Sequence, residues 1–390
     1  MPWWKKTLYL LSFVLLIEGL EKLIDLIIGD GDGKIERYHF SYYISFFQFL
    51  VMLFLVNWIF YFKKTRFHDL IKNTILTISY LLPVFIFEIV FYGVLHDWIR
   101  IQSLDAVTKK YYQNNRKLIQ FDESCSVYDP ELFYTLSPGE CSFSSIEFQN
   151  SFHINSMGLR DDENSLIAPD VISLGDSFAM GWGVNQDSTY AQIFEHKSGL
   201  KVLNAGISSY GTARELLLLK RLDLSNLKFV ILQYCFNDFE ENKTFLENNY
   251  TLPISNQSFY HDKRLFETHR KGYFFGKYTS FFLSNQVRSD QSEIIKNDKK
   301  EEANVFLAIL KHIYTTINGK RIIIIDTCTH LSGNKFNNYL NKEIINNQYR
   351  NTRLIDISKE LDQSCYFRLD EHLNEKGHLL IAQKLMELSQ

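Results

Sequence analysis

Hydrophobic positions follow two regimes along this 390-residue chain. In the first, apolar residues run on with few interruptions over residues 7–28, 40–62 and 71–95. Each run is near the ~20 residues a helix needs to cross a hydrocarbon core, so the pattern predicts three N-terminal transmembrane helices within residues 1–98. The second, FSYYISFFQFLVMLFLVNWIFYF, carries no charge, and NTILTISYLLPVFIFEIVFYGVL carries only Glu88. Pro83 predicts a kink of the kind membrane helices tolerate. The first run ends in Glu18, Glu21, Lys22 and Asp25. Glu18 and Lys22 form a favourable i,i+4 pair, which reads as a structural polar stripe. Lys5 and Lys6 give that run the look of a signal peptide, but no small-residue cleavage site follows, so a retained helix is expected. Basic residues before the first run and after the second (Lys63, Lys64, Arg66) put the N-terminus and the second loop in the cytoplasm. Three crossings then place everything after about residue 96 on the outer side.

The second regime begins near residue 169. Short apolar runs at Val171–Leu174, 201–204, Phe229–Tyr234, 321–325 and 353–357 alternate with helical patterns at 189–197, 212–222, 301–316, 335–348 and 375–388. Runs this short, bounded by turn residues, read as buried strands. Strands alternating with helices predict an α/β domain: a flavodoxin-like three-layer α/β/α arrangement on a five-stranded parallel sheet. Right-handed crossovers then bring the loops after every strand to one edge. Residues 99–168 read as an extracytoplasmic linker, with a helix near 103–114 and irregular sequence after it. A long polar and aromatic insertion spans about 239–300, a length typical of lids or binding segments.

Charge and composition narrow the function more than the fold. The formal net charge of -3 offers no footprint for nucleic acid. Five cysteines without a C-x-x-C pair make neither a disulfide scaffold nor a zinc site, and no cofactor motif occurs. Outside the cytoplasm a Cys125–Cys141 disulfide would be allowed, with Cys328–Cys365 a second pairing on weaker grounds. Cys235 lies inside an apolar run and reads as a buried thiol. The stretch Asp30-Gly31-Asp32-Gly33 resembles part of a calcium loop. Aligned on Gly33, however, its first and twelfth positions are Ile28 and His39, so no metal is expected. Asn242, Asn249 and Asn256 stand in N-x-S/T sequons, relevant only in a glycosylating pathway.

The candidate chemistry gathers at the loops after the strands. Ser177 follows the first strand in Gly175-Asp176-Ser177, and Asn204 to Gly211 follow the second. Phe236-Asn237-Asp238 follow the third, and Asp370-Glu371-His372 lie near the end. A serine hydroxyl is a weak nucleophile at neutral pH and needs an adjacent base. His372 can take and return a proton, and Asp370 can orient its imidazole. Alternatives stand beside these roles. Gly-Asp-Ser is also a turn, and Asp176 reads as fixing it. Asp238 could compete with Asp370, Asn237 could cap a helix, and His378 reads as a packing histidine. Phe178, Met180 and Trp182 read equally as cleft walls or core.

These residues resemble the four ordered blocks of the SGNH/GDSL hydrolase superfamily. The blocks are Gly175-Asp176-Ser177, Gly206, Asn237-Asp238, and Asp370 with His372, over about residues 154–390. The final block departs from the usual Asp-x-x-His spacing by one residue, and Phe236 stands where a small residue often precedes the Asn. Ala179 breaks the G-x-S-x-G elbow of α/β-hydrolases. The resemblance implies a Ser177–His372–Asp370 triad. It assigns the oxyanion hole to the Ser177 and Gly206 N–H groups and the Asn237 amide, with no cofactor. The expectation is a membrane-anchored ester hydrolase, facing the periplasm or exterior, acting on acyl esters such as O-acetyl groups of surface glycans. Two alternatives are an O-acyltransferase using the same site, supplied by a membrane acyltransferase partner, and a non-catalytic binding or assembly module on the same fold. The expected partners are the lipid bilayer and an acylated glycan or other ester.

Overall fold

In the computed structural model the described residues are 67–269, 276–287, 298–328, 335–346, 349, 351–355, 357 and 360–389, with the short ladder of 34–35 and 38–39. The expected membrane segments 7–28 and 40–62 lie outside them. Among the described residues, no helix is long and apolar enough to cross a membrane. The chain divides into two compact units, Met1–Arg116 with Leu265–Gln291, and Lys117–Arg264 with Ser292–Gln390.

In the first unit the third predicted apolar segment falls on the helix Phe67–Leu95, which contains Pro83; it is helical as expected, but its described residues do not make the membrane crossing expected of 71–95. Gln102–Asn115 is also helical, in place of the expected 103–114. A third helix, Lys277–Val287, comes from the insertion. Aromatic rings join the three: Phe91 lies 4.9 Å from Tyr278, and Tyr111 lies 5.1 Å from Phe281. Glu88, the lone charge of its segment, is 4% exposed. Its carboxylate accepts from the Thr279 N–H and hydroxyl, each at 2.7 Å. It thereby satisfies donors that open a helix end would leave unpaired and places negative charge at the positive end of the helix dipole.

The second unit holds a five-stranded parallel sheet: β1 (Val171–Leu174), β2 (Val202–Asn204), β3 (Phe229–Tyr234), β4 (Arg321–Asp326) and β5 (Thr352–Ile355). The strand order is β2-β1-β3-β4-β5, the flavodoxin-like arrangement expected from the sequence. Residues alternate between faces. Ile172, Leu174, Val230, Leu232, Ile322 and Ile324 pack with Leu216, Phe306 and Leu340 on one side. Val171, Phe229, Ile231, Ile323 and Ile325 pack with Ala191, Phe194, Ile381 and Leu385 on the other. Burial on both faces explains why these strands read as unbroken apolar runs.

Residues 117–168 belong to this unit and build two antiparallel hairpins, Ser126–Asp129 with Phe133–Leu136 and Gly139–Ser144 with Gln149–Ile154. Arg221 forks onto Asp129 at 2.8 and 3.1 Å, tying the first hairpin to the segment after the Thr212–Leu219 helix. The insertion splits between units: residues 239–264 stay with the sheet, and 265–291 join the N-terminal unit.

The cysteines require a correction. Cys125–Cys141 is a disulfide, but Cys235 pairs with Cys328, leaving Cys365 a free, buried thiol. Sheet register explains the pairing. β3 and β4 are neighbours with Tyr234 opposite Asp326, so residues just past the two strand ends lie side by side. The Cys235 and Cys328 Cα atoms are 5.2 Å apart, within the range a disulfide spans.

Candidate active site

β1 ends at a turn that only glycine can make. Gly175 has φ +152°, and a Cβ there would meet the Gln233 Oε1 at 2.3 Å. That same Gln233 oxygen, from β3, accepts the Asp176 N–H at 2.8 Å. Asp176 then caps the short helix Ser177–Met180, its Oδ1 accepting from the Phe178 N–H at 2.9 Å. Asp176 therefore fixes the turn, as expected. Ser177 opens the helix at the carboxyl end of β1. The chain leaves β1 for β2 on one side while β3 lies on the other, so Ser177 stands at the switch point where open α/β sheets bind ligands.

Ser177 Oγ is 2.7 Å from His372 Nε2, and His372 Nδ1 is hydrogen-bonded to Asp370 Oδ1. Ser177 and His372 are each 8% exposed and Asp370 is 2% exposed. The Asp-x-His spacing closes because Glu371 adopts a left-handed conformation, φ +65°. Phe367 N–H donates to the His372 carbonyl at 2.9 Å, and Tyr366 bridges Leu373, so the turn is tight. The Phe178 ring lies 4.7 Å from the imidazole and the Trp182 ring 5.8 Å from it. Met180 and Trp182 also pack with Phe143, Phe148 and Phe152, so these residues serve as core while Phe178 and Trp182 flank the imidazole.

The three expected oxyanion donors differ in their engagement. Asn237 is exposed, and its Nδ2 faces Asp176 Oδ2 at 3.4 Å rather than capping a helix. The Gly206 N–H donates to Asn204 Oδ1 at 3.1 Å. A side chain at Gly206 would place its Cβ 2.3 Å from the Met180 nitrogen, so glycine is what lets this loop approach the Ser177–Met180 helix. Ser177 N–H donates to no acceptor among the described residues. Asp238 does not contact the histidine. It accepts from the Thr212 hydroxyl at 2.7 Å, and burial pushes its carboxyl well above the ordinary range. His378 is a packing residue: its Nδ1 accepts from the Tyr190 N–H at 3.2 Å, and burial lowers it to about 3.

Several supporting residues carried no signal in the sequence. Arg160 is fully buried and donates to the carbonyls of Met180 at 3.1 Å, Gly181 at 2.6 Å and Val184 at 2.7 Å. It closes the carboxyl end of the Ser177–Met180 helix, and burial lowers it to about 9. Tyr134 donates to the Ser208 carbonyl and Tyr210 to the Tyr134 carbonyl, locking the Gly206 loop to the first hairpin. Gln120 adds a hydrogen bond to Ser209 Oγ at 3.1 Å. The N-x-S/T and Gly-rich patterns could not have found these; only the fold brings them together. Among the described residues no group of His, Cys, Asp or Glu could hold a metal ion.

No family model matches the chain, and neither does any curated protein. Solved structures do. A protein of the G-D-S-L lipolytic family from Desulfitobacterium hafniense DCB-2 is 11% identical, with a TM-score of 0.32, covering 55% of this chain and 95% of its own. A carbohydrate esterase, described as having divergent catalytic and non-catalytic binding functions at its active site, is 10% identical, with a TM-score of 0.37 over 56% of this chain and 64% of its own. TesA is 10% identical, with a TM-score of 0.32 over 56% of this chain and 96% of its own. At such identities and TM-scores these likenesses assign neither a substrate nor an activity.

Proposed function

We propose that the chain is a serine ester hydrolase of the SGNH/GDSL type, acting on acyl esters through Ser177, His372 and Asp370. The observation that carries this reading is the continuous hydrogen-bonded line from Ser177 Oγ through the His372 ring to Asp370. As His372 Nε2 takes the hydroxyl proton, Ser177 Oγ bonds to the ester carbonyl carbon. The carbonyl oxygen becomes an oxyanion, which the Ser177 N–H would receive; the Gly206 N–H and the Asn237 amide would join it on leaving Asn204 Oδ1 and Asp176 Oδ2. One such donor is worth ~3 kcal/mol in the transition state. Collapse breaks the C–O bond, and the imidazolium returns its proton to the departing alcohol. Water, deprotonated by the same histidine, then releases the acid and restores Ser177. Asp370 orients the ring and balances its charge in both halves.

The proposal extends to location and substrate. The apolar runs 7–28 and 40–62 would anchor the chain in a membrane. Two crossings alone return the chain to the side it started from, so the placement of the hydrolase unit outside the cytoplasm rests on its cysteines. Two disulfides support an oxidising compartment. O-acetyl groups of surface glycans suit that location.

The test uses the full chain and p-nitrophenyl acetate or an O-acetylated glycan, beside Ser177→Ala. Hydrolysis reduced at least ~1,000-fold in the variant is expected. Equal activity in both proteins overturns the serine mechanism. Acyl transfer to an added sugar in place of free acetate would replace hydrolysis by transferase chemistry at the same residues. C-terminal reporter fusions check the topology, and a reporter active only in the cytoplasm overturns the outward placement.

A further inference from the structure

Asp370 and His372 sit on a turn that cannot satisfy its own backbone. Within it, Phe367 N–H finds the His372 carbonyl at 2.9 Å and Glu371 N–H the Phe367 carbonyl at 3.3 Å. The N–H groups of Leu369 and Asp370 instead go to one atom, Glu147 Oε2, each at 2.9 Å. Glu147 lies more than 200 residues away in sequence, in the turn that joins Gly139–Ser144 to Gln149–Ile154. That turn is itself held. Ser145 N–H donates to the Phe148 carbonyl at 2.8 Å, and Phe148 packs on Phe367 at 5.5 Å and Trp182 at 5.6 Å. The Cys125–Cys141 disulfide secures the hairpin from its other strand.

We propose that Glu147 is a positioning residue for the triad: its carboxylate accepts the Leu369 and Asp370 N–H groups and so fixes where the Asp370 carboxylate meets His372. The proposal rests on the triad reading for its kinetic consequence, though not for its geometry. A side-chain acceptor suits the task because both N–H groups converge on a single oxygen, which a backbone carbonyl of the turn does not offer. A buried N–H without a partner would otherwise drive the turn to rearrange. The residue it would move is the one that sets the tautomer and direction of the imidazole. Phe148 beside it stacks against the same turn, so the hairpin tip meets the loop with both an acceptor and a ring.

The experiment compares Glu147→Gln, which keeps an acceptor oxygen, with Glu147→Met, which keeps the length and removes it. Both are made in the full chain and checked for native circular dichroism; Glu147→Ala replaces Met if that variant does not fold. For Met, kcat should fall ~10–100-fold at nearly constant KM, because misplacing a catalytic group by about 1 Å costs up to about 100-fold. For Gln, kcat should stay within a few-fold of wild type. The low-field proton resonance of the Asp370–His372 hydrogen bond should persist in Gln and shift or vanish in Met. Wild-type kcat and an unchanged resonance in Met overturn the proposal, as does equal loss in Gln and Met. The resonance reads the contact without turnover. If Ser177→Ala proves as active as wild type, the hydrolase reading fails while the positioning role is still decided by the spectrum.

Discussion

Two aspartates, Asp238 and Asp370, are each 2% exposed, and their partners separate them. Asp370 meets the histidine, whereas Asp238 accepts from Thr212 and has one oxygen, Oδ1, with no partner. Burial and the nearby Asp176 hold the Asp238 carboxyl well above its ordinary range, which favours a neutral side chain. A neutral amide can therefore replace it at little cost. Asp238→Asn is expected to keep kcat within a few-fold of wild type. Asp370→Asn should lose ~10,000-fold, because the amide would present the wrong hydrogen-bonding pattern to the imidazole. Steady-state kinetics on one ester decides this, and comparable losses in the two variants would reverse the assignment of the acid. Charged residues such as Glu147 and Arg160 could not be picked out in the sequence. A lone Glu or Arg looks like solvated surface until the fold supplies the carbonyls and N–H groups it serves.

At the scale of elements, what was legible depended on how burial patterns a segment. Strands of the parallel sheet are covered on both faces, so they stand out as apolar runs, and their ends delivered Ser177, Asn237 and the Gly206 loop to one edge. The hairpins of residues 126–154 bury only alternate positions, Asn150, Phe152 and Ile154 in one strand, over stretches too short to show a period. The Cys235–Cys328 pair was hidden for a related reason, since strand neighbours are set by sheet order rather than by sequence distance. The final turn was legible as Asp-x-His but not as geometry. It closes by placing Glu371 at φ +65°, a region that costs a non-glycine residue roughly 1–2 kcal/mol. Glu371→Gly should therefore fold at least as well and keep most of its activity. Glu371→Val, whose branched Cβ tolerates that region poorly, should lose ~1–3 kcal/mol of stability and most of its turnover. Denaturant unfolding with kinetics on the same samples checks both, and a Val variant indistinguishable from Gly would show that the left-handed residue does not shape the site.

Across the whole second unit, the helix layer of Tyr190–Ser198 and Glu375–Ser389 carries an acid-sensitive group far from the chemistry in role, though not in sequence. His378 is 1% exposed, stacks on the Tyr190 ring at 5.7 Å, and accepts the Tyr190 N–H. Accepting that bond requires Nδ1 to be unprotonated. Burial first, with the charge of Arg160 next, lowers the folded affinity to about 3 from an ordinary 6.5. Because the folded value lies below the unfolded one, the unfolded chain takes up the proton first on acidification. The contribution is fully present above 6.5 and is lost as pH falls toward 3, at ~1.4 kcal/mol per pH unit. Asp161 and Asp326 work in the other direction. Burial raises each to about 7, so their contribution is complete below 3.8 and is lost as pH rises through 7. The total pH dependence therefore mixes opposing slopes, and only a difference between variants isolates the histidine. His378→Asn keeps an acceptor near Nδ1 and cannot titrate. Relative to that variant, wild type should lose ~2 kcal/mol between pH 7.5 and pH 5 in chemical denaturation. A difference that stays constant across that range would mean His378 is protonated in the folded chain or solvated enough to titrate normally, and the packed helix layer would not be the source of acid lability.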